Sequence, residues 1–226
     1  MIPIENTIAG RVSDIHRLMP TSNVNIIGEL FLKINHCLMS LNESSLKHIK
    51  TVRSHEMALS QCRNSILDLG LNPVVSADTA GSAREVSELK NTSIAAIASP
   101  LAAEIYNLKI LKEDMEDAGH NTTRFLILCK DKIIPENKGE KFITTLVFKV
   151  KNVPSALYKA MGGFATNGVN MLKLESYQVD GSFQSTQFYT DLEGHLESEA
   201  IKTAIDELEY YSEEIKILGV YPSARD

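Results

Sequence analysis

From residue 49 onward the chain repeats one arrangement three times: a short apolar run, a hydroxyl-bearing joint, and a stretch with apolar residues at helical spacing. A strand that passes through a helix into the next strand re-enters the sheet in the same direction, so strands joined in this way lie parallel. The first unit sets residues 49–53 before a helix capped by Ser54, whose Ala58, Cys62, Ile66 and Leu69 share a face before Gly70 stops it. The second leads from Pro73-Val74-Val75-Ser76 into Asp78-Thr79-Ala80-Gly81-Ser82, where Ser82 and Glu85 have the spacing of a capping box. The third is Ser93-Ile94-Ala95-Ala96-Ile97-Ala98, followed by Ser99 as cap and Pro100 at the first helical position. The alternation predicts an α/β fold built on a parallel sheet.

Each joint sets a Ser or Thr hydroxyl beside unpaired backbone N–H groups at the positive end of a helix dipole, a ready place for an anion. Capping alone accounts for any one of these hydroxyls. Three in succession are harder to explain by capping alone and suit an anionic ligand. Ser54 and Gln61 are seven residues apart, two helical turns, and so project on one face.

The densest polar cluster is His120-Asn121-Thr122-Thr123-Arg124-Phe125, directly before the apolar Leu126-Ile127-Leu128-Cys129. Its chemistry fits a reactive centre and fits equally a structural hydrogen-bond knot. His120 has the pKa nearest neutrality. His16, His36, His48, His55 and His195 show no metal-ligand spacing with Cys or carboxylates, so no metal is expected. At the start of the chain Met1-Ile2-Pro3-Ile4 reads as a strand running into Glu5-Asn6-Thr7. There Glu5 suits a general acid in a dry pocket, or a group that orients backbone amides. Residues 24–41 read as one or two strands able to cross between two lobes.

Residues 131–141, with Pro135-Glu136-Asn137 and Lys138-Gly139-Glu140-Lys141, form a charged, turn-rich linker between a first domain, 1–130, and a second, 142–226. In the second, residues 142–150 alternate as a strand, 154–166 form an amphipathic helix opened by Pro154, and 169–179 form a strand. Asp180-Gly181 is a hairpin signal, 182–192 the returning strand, 197–211 a helix and 215–221 a last strand. The order βαββαβ is that of an α+β ferredoxin-like domain.

Composition excludes several partners. The 226 residues carry 23 Lys and Arg against 29 Asp and Glu, a net charge of -6, without a basic run interleaved with aromatics, so no nucleic acid is expected. No stretch has the length of a membrane span, and the N-terminus lacks the basic head and apolar body of a signal peptide. Cys37, Cys62 and Cys129 are too scattered for a disulfide framework, which fits a cytoplasmic protein.

The wording Asn-x-Thr-Arg-Phe at 121–125 resembles the signature of prephenate dehydratases. So do Pro3-Ile4-Glu5-Asn6-Thr7, the Ser54/Gln61 spacing, Asp78-Thr79-Ala80, Ala95-Ala96-Ile97-Ala98-Ser99 and Ile105-Tyr106-Asn107-Leu108. The resemblance implies a two-lobed catalytic domain like that of periplasmic binding proteins, here N-terminally incomplete and for that reason less stable and less active. It implies prephenate as substrate, no cofactor, Thr123 as the catalytic donor, and Asn6, Ser54, Gln61, Thr79, Ser99 and Arg124 as substrate-binding residues. The second domain resembles the ACT modules that bind amino acids. Asn152-Val153-Pro154-Ser155-Ala156-Leu157 falls where the family has a Gly-Ala-Leu loop, and Glu175-Ser176 where it has Glu-Ser-Arg-Pro, with Ser155 replacing the Gly and Tyr177-Gln178 the Arg-Pro. Asn152, Pro154, Ser155, Ala156, Leu157, Glu175 and Ser176 are thereby expected to bind L-phenylalanine as effector in a homodimer or homotetramer. An arogenate dehydratase and a non-catalytic phenylalanine-binding protein are the alternatives.

Overall fold

A computed structural model describes residues 1–178 and 186–225, and it is a mixed α/β fold with two β-sheets. In chain order the elements are β1 (Ile2–Asn6), β2 (Gly10–Arg11), α1 (Ser13–Leu18), β3 (Asn25–Lys33), β4 (Cys37–Ser40), β5 (Thr51–Ser54), α2 (Glu56–Gln61) and α3 (Arg63–Asp68). There follow β6 (Asn72–Val75), α4 (Thr79–Leu89), β7 (Ile94–Ala98), α5 (Pro100–Ile105), β8 (Lys109–Lys112) and β9 (Thr122–Cys129). The chain ends with β10 (Phe142–Val150), α6 (Ala156–Thr166), β11 (Met171–Gln178), β12 (Thr186–Glu193), α7 (Glu199–Tyr211) and β13 (Ser212–Pro222). Two compact units result: a first of Met1–Glu5, Arg11–Phe31 and Arg124–Asp226, and a second of Asn6–Gly10 and Leu32–Thr123. The chain passes from one unit to the other within β1, β2, β3 and β9.

The second unit holds the sheet β6-β5-β7-β4-β8, in which β5 is parallel to β6 and β7 while β4 runs antiparallel to β7 and β8. Its middle strands are buried on both faces, and their side chains divide by strand alternation. Leu38, Val52, Ala95 and Ile97 pack with Ala58, Leu59, Cys62 and Ile66 of the α2–α3 segment. Cys37, Met39, Ala96 and Ala98 pack with Ala83, Val86, Ala102 and Ala103 of α4 and α5. The expected parallel strands are thus the β6-β5-β7 part of the sheet.

In the first unit the sheet order is β11-β12-β10-β13-β3-β9-β1-β2. β10 pairs antiparallel with β12 and β13, and the order of elements from β10 to β13 is the βαββαβ read from the sequence. Leu146, Phe148, Phe188 and Leu192 face Phe164 of α6 and Leu208 of α7, while Ile143, Val147 and Tyr189 pack with Ile4, Ile26 and Leu126. β13 joins β3 in parallel, with Gly219 opposite Ile26. The sequence boundaries at 130 and 142 therefore lie inside this unit, because β13 joins β10 to β3, a strand from the start of the chain.

Several local expectations are corrected. The helix expected from Ser54 to Leu69 is broken at Cys62 (φ -112°, ψ 19°), where the Asp117 carboxylate accepts from the Asn64 and Ser65 N–H groups at 3.1 and 3.4 Å and starts α3 anew. Ser54 ends β5 rather than capping α2; His55 is the cap and accepts from the Met57 N–H. Asp78, not the Ser82/Glu85 box, caps α4 through the Gly81 N–H at 2.5 Å. Ser99 occupies the cap position of α5 without a side-chain capping bond. α6 opens at Ala156, two residues after Pro154, because Ser155 adopts the left-handed conformation (φ 63°). The hairpin signal Asp180-Gly181 lies outside the described residues.

A Cβ built on Gly219 collides with the carbonyl oxygen of Ile26, a backbone atom that cannot move aside without parting the strands. Gly219→Ala is therefore expected to destabilise the protein by about 1–3 kcal/mol, read as a lowered midpoint in urea unfolding. An unchanged midpoint would mean that the β13–β3 seam opens at no cost.

Candidate active site

β1 and β9 are neighbours in the sheet, and their C-terminal and N-terminal ends respectively bring Asn6 against Asn121, Thr122 and Thr123. The Asn6 amide nitrogen donates to Asn121 Oδ1 at 2.8 Å, to Thr123 Oγ1 at 2.9 Å and to the Thr122 carbonyl at 3.2 Å. Its oxygen accepts from the N–H groups of Ile8 and Ala9, at 2.9 and 2.8 Å, and this turn fixes which way the amide faces. The Thr7 hydroxyl donates to the His120 carbonyl and accepts from the Thr122 N–H, pinning the same step from the other residue.

The network extends inward. Asn121, fully buried, donates through Nδ2 to Gln61 Oε1 at 3.0 Å, and His36 Nε2 approaches the same oxygen at 3.0 Å. Since Gln61 Oε1 can only accept, His36 carries its proton on Nε2. The polar line His36–Gln61–Asn121–Asn6–Thr123 thus has a direction. The Thr123 oxygen accepts from Asn6, which leaves its own O–H for another acceptor. Thr123 is half-buried, so that acceptor can be a ligand.

Asn6, Gln61, Asn121 and Thr123 are brought together as a site, and His36 joins them although no spacing in the sequence singles it out: it lies 25 residues from Gln61. Ser54 is buried and donates to the Ile97 carbonyl at 2.6 Å, which ties β5 to β7. Thr79 is half-buried at the first position of α4 and Ser99 is exposed before α5. His120 is exposed and takes part through its backbone carbonyl. Burial first, with the nearby Glu116 and Asp117 charges, pushes the Cys62 thiol up to about 12, so it packs as a neutral side chain rather than acting as a thiolate.

Arg124 corrects the expectation of a ligand-binding guanidinium. Successive side chains on β9 alternate, and Arg124 is buried in the first unit. It donates from Nε to Glu29 at 2.6 Å, from Nη1 to Asp191 at 2.5 Å and to Glu5 at 2.9 Å, and from Nη2 to the Tyr221 hydroxyl at 3.1 Å. Burial alone would lower its pKa; the Asp191 and Glu29 carboxylates overcome this and raise it. Glu5 is corrected too. Burial raises its pKa, but its bonds to Lys173 and Arg124 outweigh that and hold the carboxyl below its ordinary value, so it stays ionised and is no general acid.

In the C-terminal segment, Asn152, Ser155, Ala156 and Leu157 line a cavity of about 490 Å³ together with Lys149, Phe188 and Glu213. Lys149 and Glu213 pair there at 2.9 Å. Pro154 lies in the same loop. Glu175 and Ser176 are not brought to this cavity: on β11, Glu175 pairs with Lys173 and Arg11, and the Ser176 carbonyl accepts from Arg11.

Comparisons with known proteins point to one family. The family described as prephenate dehydratase matches residues 1–133. A bifunctional N-acyl-homoserine lactone acylase/prephenate dehydratase of Komagataeibacter europaeus is 48% identical over 224 residues, 99% of this chain and 80% of the relative. A chloroplastic arogenate dehydratase/prephenate dehydratase of Arabidopsis thaliana is 34% identical over 98% of this chain and 60% of its own length. Among solved structures, prephenate dehydratase of Arthrobacter aurescens in complex with L-Phe superposes with a TM-score of 0.89 at 29% identity, covering 99% of this chain and 74% of that one.

The direction of the hydrogen-bond line is testable. Asn6→Asp keeps the acceptor for Ile8 and Ala9 and sets a carboxylate oxygen against the acceptors that Asn6 serves. Unfolding free energy at pH 7 is expected to fall by about 1–3 kcal/mol. The deficit should shrink toward ~pH 4, as the introduced carboxyl, its pKa raised by these acceptors, takes up a proton and regains a donor. Urea unfolding at both pH values checks it; equal stability at pH 7 would mean that Asn6 is not the donor.

Proposed function

The chain belongs to the prephenate dehydratase family, and on that premise we propose that it is a carbon–oxygen lyase converting prephenate to phenylpyruvate in phenylalanine biosynthesis. The observation that carries the reading is the 2.9 Å bond from Asn6 to Thr123 Oγ1, which leaves the threonine proton free to be donated. In the reaction the ring carboxylate leaves as carbon dioxide, its bonding electrons enter the ring, and the ring hydroxyl departs with its own bonding pair, becoming water with a proton that solvent finally supplies. The difficult event is expulsion of that hydroxyl. A fixed donor aimed at the departing oxygen gains strength as charge builds there, and this lowers the barrier. Asn6 orients Thr123, while Asn121 and Gln61 orient Asn6; Thr79 and Ser99 belong to the substrate-binding reading, at helix starts suited to the substrate carboxylates. Aromatisation supplies the driving force, so the reading calls for no cofactor.

Residues 142–226 are proposed as an ACT module, with 1–130 as the two-lobed catalytic part and 131–141 as linker. The cavity at Asn152, Ser155, Ala156 and Leu157 supports L-phenylalanine as effector, since it lies in the loop where the family binds amino acids and Phe188 offers an apolar wall. A homodimer or homotetramer in the cytoplasm completes the reading. The relative from Komagataeibacter favours a second activity, cleavage of the amide of an N-acyl-homoserine lactone. Release of free homoserine lactone by the purified chain would support it.

Formation of phenylpyruvate from prephenate, followed beside turnover of arogenate, tests the main reading; conversion of neither substrate overturns it. Thr123→Ala is expected to lower kcat by about 10²–10³-fold, with a much smaller change in KM, whereas Thr123→Ser should keep most of the rate. A raised KM at unchanged kcat would make Thr123 a binding residue only.

L-Phenylalanine titrated onto the full chain in a calorimeter should give saturable heat and lower the rate of prephenate turnover, because an effector must favour one of two states. No heat at millimolar ligand would remove the effector assignment.

A further inference from the structure

Strand alternation makes Thr123 and Arg124, joined by one peptide bond, serve different neighbourhoods. The residues opposite them divide in the same way: Asn6 bonds to Thr123 and Glu5 to Arg124. β1 and β9 are therefore tied twice at one step, by a neutral hydrogen bond and by an ion pair.

The Arg124 side closes into a ring. Nη2 donates to the Tyr221 hydroxyl at 3.1 Å, that hydroxyl lies 2.7 Å from Thr145 Oγ1, Thr145 donates to Asp191 Oδ1 at 2.6 Å, and Asp191 Oδ2 accepts from Arg124 Nη1 at 2.5 Å. Because the Thr145 proton goes to Asp191, the Tyr221 hydroxyl donates to Thr145 while it accepts from Arg124. Every member has one role, and all but Arg124 are inside the C-terminal segment: Thr145 on β10, Asp191 on β12, Tyr221 on β13. Asp191 and Arg124 are closed from solvent, so the ring has no water to fall back on when a member is lost.

We propose that Arg124 is a positioning residue for Thr123, and that Asp191, Thr145 and Tyr221 set the donor hydroxyl indirectly by holding that guanidinium. The proposal rests on the dehydratase reading for its kinetic consequence. A fork gripped at Nε, Nη1 and Nη2 fixes both the place and the rotation of β9 at residue 124, and with them the direction in which residue 123 leaves the strand. A donor displaced by about 1 Å costs on the order of 100-fold in rate.

The test uses the full chain with Tyr221→Phe, which keeps the ring volume and all the carboxylates and removes one link, beside Asp191→Asn and Arg124→Lys. Per folded molecule, counted by circular dichroism, kcat for prephenate should fall about 10-fold or more with KM within about twofold. A purely structural role would lower the melting temperature and leave kcat per folded molecule unchanged, and that result overturns the proposal. If Asp191→Asn fails to fold, Tyr221→Phe and Thr145→Val carry the same measurement. If the unsubstituted chain converts neither prephenate nor arogenate, the dehydratase reading fails, and the ring is then read by amide hydrogen exchange. Tyr221→Phe should speed exchange at residues 122–125 and leave β7 unchanged; unaltered exchange at 122–125 overturns the positioning role on its own.

Discussion

A guanidinium closed from solvent must be answered by opposite charge, since an unpaired ion in a protein interior costs several kcal/mol even after relaxation. For Arg124 the answer comes from Glu5 on β1, Glu29 on β3 and Asp191 on β12, strands that are far apart in the chain. Lys173 reaches Glu5 and Arg225 reaches Asp191, so cations and carboxylates match in number at the core of the cluster. Such a set is satisfied in one arrangement only. Slipping β9 by one residue would point Phe125 or Thr123 at the carboxylates and bury them unpaired, so the cluster selects the register of the strands around it more than it adds to stability.

The second unit solves a different problem with neutral groups. Asn6, Gln61 and Asn121 each carry both a donor and an acceptor, and once the Ile8 and Ala9 amides occupy the Asn6 oxygen, the orientation of the line as far as Thr123 follows. Uncharged amides suit a site whose ligand brings carboxylates. They orient without repelling the ligand and without holding a counter-ion that the ligand would have to displace. The same strand thus serves both demands by alternation, a neutral hydroxyl at 123 and a charge at 124.

Much of this was legible in the sequence for identifiable reasons. The βα units between β5 and α5 carry strong local signals, apolar strands and punctuated helix starts, and the βαββαβ order follows from alternation and helical spacing within short windows. Asn6, Gln61 and Thr123 were reached through the family wording around them. What could not be read were choices decided by distant partners. Ser54 has the residue type of a cap, yet the Ile97 carbonyl on the neighbouring strand claims its hydroxyl. The helix break at Cys62 depends on Asp117, more than fifty positions away. Arg124 next to Thr123 reads as one site by adjacency, and only the carboxylates of β1, β3 and β12 show that it is turned elsewhere. Ser155 takes a left-handed backbone that glycine adopts without strain, which gives a physical reason for the glycine that the resemblance places there.

The pairing of Gly219 with Ile26 also sets an order of events during synthesis. The second unit is nearly continuous in the chain, from Leu32 to Thr123, and its parallel strands and helices are all available once that stretch has left the ribosome. The first unit needs residues from both ends: β3 emerges early and remains without β13 until the last segment is made. Early strands with open edges are targets for wrong pairing, and closing a loop of this length is slow compared with local helix formation. The edge of β3 that β13 covers therefore stays open in the nascent chain for as long as residues 34–211 take to be made.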